Sequence, residues 1–141
     1  MKLGAIYSKE KTTFTLFSPV ADSVFVIFYD KGNDSVGTGR LEMMRGEGEL
    51  RSIFSATAEG NLDGVYYTYE VHTADGTFSS HDPYARACGV NGHRSMVIDL
   101  SKTNPYGFAD EDRPKLADPM SMIITEVSVA DVSAGASAHS R

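Results

Sequence analysis

Apolar and polar residues alternate with a period of two along most of this 141-residue chain. Such alternation sets one row of side chains against a core and the other toward water, as half-buried strands require. Thr12–Phe17 and Ser23–Tyr29 are rich in β-branched and aromatic residues and are parted by the turn signal Ser18-Pro19. The glycines and Asn33 between Asp30 and Gly39 predict a loop. Arg40–Met44 and Leu50–Thr57 predict two more strands, split by Gly46-Glu47-Gly48. In Val65–Thr73, Val65, Tyr67, Tyr69 and Val71 share one face, while Tyr66, Thr68, Glu70 and His72 share the other. Asp75-Gly76 predicts a hairpin turn into Thr77–Ser80, and Ser95–Leu100 a further short strand.

About seven short strands with frequent turns and no helical period predict an all-β domain, an immunoglobulin-like β-sandwich over residues 1–100. Residues 101–119 are polar and hold Pro105, Pro114 and Pro119, the pattern of a linker. Residues 120–132 contain Ser121–Ala130, apolar on both faces and therefore a candidate for one more strand. The last stretch, 133–141, is small and polar and is expected to be disordered.

Composition narrows the function classes. Net charge is −6, which argues against a nucleic-acid or anionic-membrane surface. Cys88 is the single cysteine, so no internal disulfide forms. The N-terminal residues lack an apolar stretch of signal-peptide length, and no later run approaches a membrane span. A cytoplasmic protein is the simplest expectation, or an extracellular one if a leader has been removed.

Little in the chain points to catalysis. His72, His81, His93 and His139 lack metal-ligand spacing. No nucleophile elbow is present, and Gly37-Thr38-Gly39 and Gly46-Glu47-Gly48 lack the helix that a phosphate loop needs. Asp110-Glu111-Asp112 reads as a solvated loop. No metal or cofactor is expected. Aromatic rings are the remaining chemistry, because sugars stack their C–H faces on exposed rings while polar groups fix orientation. Tyr66 shares its face with Glu70 and His72 and is the expected exposed aromatic, with Tyr29 and Phe78 as further candidates. The competing and favoured reading of each is an ordinary surface or core aromatic of a strand. Phe14 and Phe28 are expected in the core, and Tyr69 on the core face.

The stretch His81–Leu100, HDPYARACGVNGHRSMVIDL, carries more than alternation. Pro83 bars a central strand, and Gly89 and Asn91-Gly92 favour turns with positive φ. This segment resembles one found in bacterial type I pullulanases, α-1,6 debranching enzymes of glycoside hydrolase family 13. LGAIYSKEKTTFTLFSPVADSVFVIFY at 3–29, GNLDGVYYTYEV at 60–71, Thr103–Phe108 and Ile123–Asp131 resemble the same family, in the same order. Phe17, Phe54 and Phe108 stand where that family commonly has Trp, Thr125 where it has Tyr, and Ala130 where it has Arg.

The resemblance implies a family-48 carbohydrate-binding module ahead of a (β/α)8 barrel, with the chain stopping just inside the first barrel strand. It implies a non-catalytic role, since the family's nucleophile and acid come from later barrel strands and not from the positions of Glu126 and Asp131. The implied partners are the catalytic barrel and an α-glucan such as pullulan, starch or glycogen. Asp82, Pro83, Tyr84 and Arg86 join a rigid turn to a ring and a charge, suited either to contact with that barrel or to an internal staple of their own loop. An independent starch- or glycogen-binding module, and a partial glycoside hydrolase completed by a second chain, are the alternatives.

Overall fold

The computed structural model describes residues 1–33, 35–112 and 115–133, which fall into two units, Met1–Asn104 and Pro105–Arg141. Among the described residues, the first unit holds nine strands: β1 Gly4–Tyr7, β2 Lys11–Phe17, β3 Ser23–Tyr29, β4 Gly39–Arg45, β5 Ile53–Glu59, β6 Tyr66–Thr73, β7 Gly76–Ser80, β8 Ala87–Cys88 and β9 Ser95–Met96. Their order is β1-β2-β5-β4-β3-β6-β9-β8, with β7 also paired to β6. All the pairings are antiparallel.

The sheet bends into two layers at β4. Met43 and the residues before it pair with β3, whereas Met44 and Arg45 pair with β5. A strand that changes partner midway folds the sheet into two facing layers. The core lies between them. Phe14 and Leu16 on β2 and Phe54 on β5 meet Val24, Val26, Tyr67, Tyr69 and Val97, with Met43 at the seam. The Phe14 ring lies edge-on to Tyr67 at 5.0 Å and to Phe28 at 5.7 Å, contacts made across the layers because β2 is not hydrogen-bonded to β3 or β6. The immunoglobulin-like sandwich is therefore present.

The differences from the sequence expectation are local. β1 and β8 form where no strand was expected, because an edge strand needs only a neighbour's free backbone groups and not a long alternating run. β5 begins at Ile53 because Gly48–Leu50 close a 3₁₀ turn. β9 ends at Met96, although Val97 still donates to the Val65 carbonyl and accepts from Gly64.

The second unit contains a 3₁₀ turn at Pro119–Ser121, capped by the Asp118 carboxylate accepting from Met120 N–H at 2.9 Å, and a short helix α1 at Val129–Ser133. The strand expected over Ser121–Ala130 is not formed. Residues 122–128 carry no regular structure, since a strand exists only where a neighbour completes its ladder, and no described strand pairs with this one. Ile123, Ile124, Val127 and Val129 are exposed. Of the tail expected to be disordered, 133–141, Ser133 instead ends α1, and 134–141 lie outside the described residues.

Candidate functional site

Asp82 sits at the start of the turn that follows β7, and it is buried. Its Oδ2 accepts the Tyr67 hydroxyl at 2.7 Å and the Tyr69 hydroxyl at 3.2 Å, while Oδ1 accepts Tyr84 N–H at 2.8 Å. Its own N–H donates to Ser95 Oγ. Burial, followed by the hydrogen bond and charge of Asp82, pushes the Tyr67 phenol far above its ordinary range; burial and the Asp82 charge do the same to Tyr69. Gly4 lies against this turn with φ +87°, and a Cβ there would sit 2.8 Å from the Tyr84 Cβ. Only glycine fits both the dihedral and the space. Asp82 is thus an internal staple, the second of the two readings its sequence allowed. It is removed from the expected outward contact. Pro83, Tyr84 and Arg86 are exposed.

The outer face of β3 and β6 carries most of the expected glycan-contacting side chains. Tyr29 stands directly opposite Tyr66 across the pair, so the two rings are neighbours on one face. Phe78 does not join them. It stands opposite Val71, on the other face and out on β7. Neither tyrosine offers a bare ring. The Arg94 guanidinium lies 3.6 Å from the Tyr29 ring centroid and donates to Lys31 O, Ser35 Oγ and Ser35 O. A Cβ on Gly32 would stand 3.0 Å from the Tyr66 ring, so backbone already covers part of it. The same holds further along the face. Arg40 lies 3.4 Å from the Phe25 centroid and donates to Glu70 Oε1 at 2.8 Å. His72 Nε2 meets the same oxygen at 2.9 Å and Nδ1 meets Thr77 Oγ1 at 3.2 Å. Held first by His72 and then by Arg40, Glu70 lies below the usual carboxylate range.

Beside these rings runs a groove of about 430 Å³, lined by Thr68, Ser79, Ser80, His81, Asn91, Gly92 and His93. Its lining carries hydroxyls, an amide and imidazoles, and no carboxylate or ammonium. Thr68 links it to the ring pair, since the Tyr29 hydroxyl and Thr68 Oγ1 are 3.2 Å apart. Asn91 has φ +53°, the left-handed geometry that its Asn-Gly sequence favours. Sequence reasoning read Asn91-Gly92 as a turn and His81 and His93 as failed metal ligands, and so missed them as polar walls of a groove. The signal was present, because both turns lie in the segment richest in backbone-fixing residues.

A second cleft, of about 290 Å³, opens between β1 and the segment that follows β9, with Tyr84 and Arg86 in its wall. Lys102 braces that segment by donating to Asp63 Oδ2 at 2.6 Å, while Asp63 Oδ1 accepts Asp99 N–H at 2.8 Å. The hydrogen bond from Lys102 holds the Asp63 carboxyl low, and the Ser101 hydroxyl does the same for Asp99. A glycosidase acid needs the opposite shift. Among the described residues no cluster of His, Cys, Asp and Glu is arranged to hold a metal ion.

The model of carbohydrate-binding module 48, the isoamylase N-terminal domain, matches residues 2–85. The chain belongs to this family. As a family-48 module it is similar to pullulanase A of Streptococcus pneumoniae serotype 4, 31% identical over 116 residues that span 77% of this chain and 9% of that protein. It is also similar to the crystal structure of apo pullulanase from Paenibacillus barengoltzii, with TM-score 0.75 and 36% identity over 84% of this chain and 18% of that one. The same pullulanase in complex with maltohexaose and α-cyclodextrin gives TM-score 0.76 at 36% identity, covering 84% of this module and 18% of that chain. The module therefore spans less than a fifth of the length of these relatives.

Proposed function

We propose that the chain is a non-catalytic module of a pullulanase-like α-1,6-glucan debranching enzyme, which packs on the catalytic barrel and binds α-glucan weakly. The observation that carries the glucan reading is the polar groove beside Tyr29 and Tyr66, whose lining has no carboxylate or ammonium. A neutral polyhydroxyl chain matches walls of Thr68, Ser79, Asn91 and the two histidines, which offer donors and acceptors without requiring a countercharge. The P. barengoltzii complex with maltohexaose supports the ligand class. Affinity is weak because Arg94 and Gly32 already cover the rings that a sugar would stack on.

Support for packing on a barrel comes from the exposed Tyr84 and Arg86 beside a preformed cleft, on a turn held rigid by Asp82. Support for a non-catalytic role comes from the carboxylates. Glu70, Asp63 and Asp99 are each held ionised by donors, which suits structure and not proton donation to a leaving group. Calorimetry with maltoheptaose tests the glucan reading. Dissociation constants in the millimolar to high-micromolar range, about 4–6 kcal/mol, are expected. Submicromolar affinity would favour an independent starch- or glycogen-binding module. Reducing sugar released from pullulan, and lost on mutating a residue of this chain, would overturn the non-catalytic reading.

A further inference from the structure

The cleft between β1 and the segment after β9 has an unusual charge for this molecule. The chain has net charge −6, yet the cleft wall carries Lys2 and Arg86. Neither has an ion pair or side-chain hydrogen bond among the described residues. The one acidic residue in the lining, Asp99, is already engaged. Its Oδ1 accepts both N–H and hydroxyl of Ser101, and its Oδ2 lies 3.9 Å from Lys102. The same lining carries exposed apolar side chains, Ile6 at 40%, Tyr84 at 50% and Leu100 at 43% of full exposure. The backbone at Gly4 leaves no room for a Cβ beside Tyr84, and the Asp63–Lys102 pair braces the other side.

Two unpaired cations at an apolar recess call for an anion on an apolar stem. We propose that this cleft receives an acidic side chain carried on an apolar segment of the catalytic domain. Its carboxylate pairs with Arg86 and Lys2, and its apolar neighbours fill the space between Ile6, Tyr84 and Leu100. The inference rests on the reading that the module packs on such a domain. It adds which side of the module faces the partner and the chemistry that the partner must present. Tyr and Arg in a preformed recess are also the residue types that dominate binding energy at interfaces.

The test has two arms. In the first, the full chain is titrated by NMR with acetyl-Leu-Asp-Leu-amide and with the Asn peptide of the same shape. Shifts at Ile6, Tyr84 and Leu100 are expected, with the Asp peptide binding about threefold tighter. That preference should vanish in Arg86→Gln and at about 0.5 M NaCl. Equal affinity for the two peptides, shifts confined to other residues, or no shifts at all would overturn the proposal. In the second arm the chain is co-expressed with the catalytic region of S. pneumoniae pullulanase A. Co-purification that survives Arg86→Glu with Lys2→Glu keeps the docking reading and rejects this cleft. Failure to co-purify, alongside a clear Asp preference in the first arm, rejects the docking reading and leaves the anion chemistry of the cleft standing.

Discussion

The Tyr67 hydroxyl donates to Asp82 Oδ2 across 2.7 Å, between residues fifteen positions apart in sequence. This bond fastens β6, the central strand of the core, to the turn that presents Pro83, Tyr84 and Arg86. A buried carboxylate with three donors is stable only while all three are kept, since an unmatched buried polar group costs about 1–3 kcal/mol.

Asp82→Ala is therefore expected to destabilise the module by about 3 kcal/mol, because two hydroxyls and one N–H lose their acceptor together. Tyr69→Phe, which removes the longer 3.2 Å bond, should cost less than Tyr67→Phe. Urea unfolding followed by tyrosine fluorescence measures both, with the slope unchanged in each variant. Equal midpoints for Asp82→Ala and the parent would refute the staple.

Acid should weaken the outer face in a defined direction. Glu70 is held below the usual carboxylate range, first by His72 and then by Arg40. A depressed folded-state value gives stability that is present above the unfolded value, about pH 4.3, and lost as pH falls through the folded one. Glu70→Gln should therefore be less stable than the parent at neutral pH, and the gap should close on acidification below about pH 4. Midpoints of urea unfolding measured across this range decide it, and a gap that persists at low pH would contradict the assignment.

Glucan affinity should follow the groove and the ring pair. Asn91→Gly keeps the left-handed backbone and removes only the amide, so it should weaken maltoheptaose binding about two- to fivefold at unchanged stability. Tyr66→Ala should weaken it, Tyr69→Phe should not, and Phe78→Ala should matter less than Tyr66→Ala. Calorimetry at millimolar sugar reads all four. An effect of Phe78→Ala alone would move the site to the opposite face.

The first unit should stand without the second. Its core residues all lie between Phe14 and Val97, inside Met1–Asn104. A chain ending at Asn104 is expected to unfold at the same temperature within about 2 °C, and to be more soluble for want of exposed Ile123 and Ile124. Amide exchange should show protection across Val65–Val71 and fast exchange at Ile123–Val127. Strong protection of Ile123–Val127 in a monomer would contradict this.

The sequence by itself determined the strands and their faces. Alternation in Val65–Thr73 put Tyr67 and Tyr69 inside and Tyr66, Glu70 and His72 on the other face, because the pleat has a period of two wherever one side meets a core. It also marked His81–Leu100 as the segment where backbone shape matters. Ser121–Ala130 shows the limit of such reading, since apolar residues on both faces do not make a strand without a neighbour to pair with. Only the tertiary structure decided which side chains meet. That Asp82 turns inward to two tyrosines, that Arg94 covers Tyr29 from beyond a loop, and that Phe78 lies on the face away from Tyr66 all depend on contacts across strands and loops. Alternation records the distance of a residue from water but not the identity of its neighbour, and hydrogen bonds, stacking and grooves are made by neighbours.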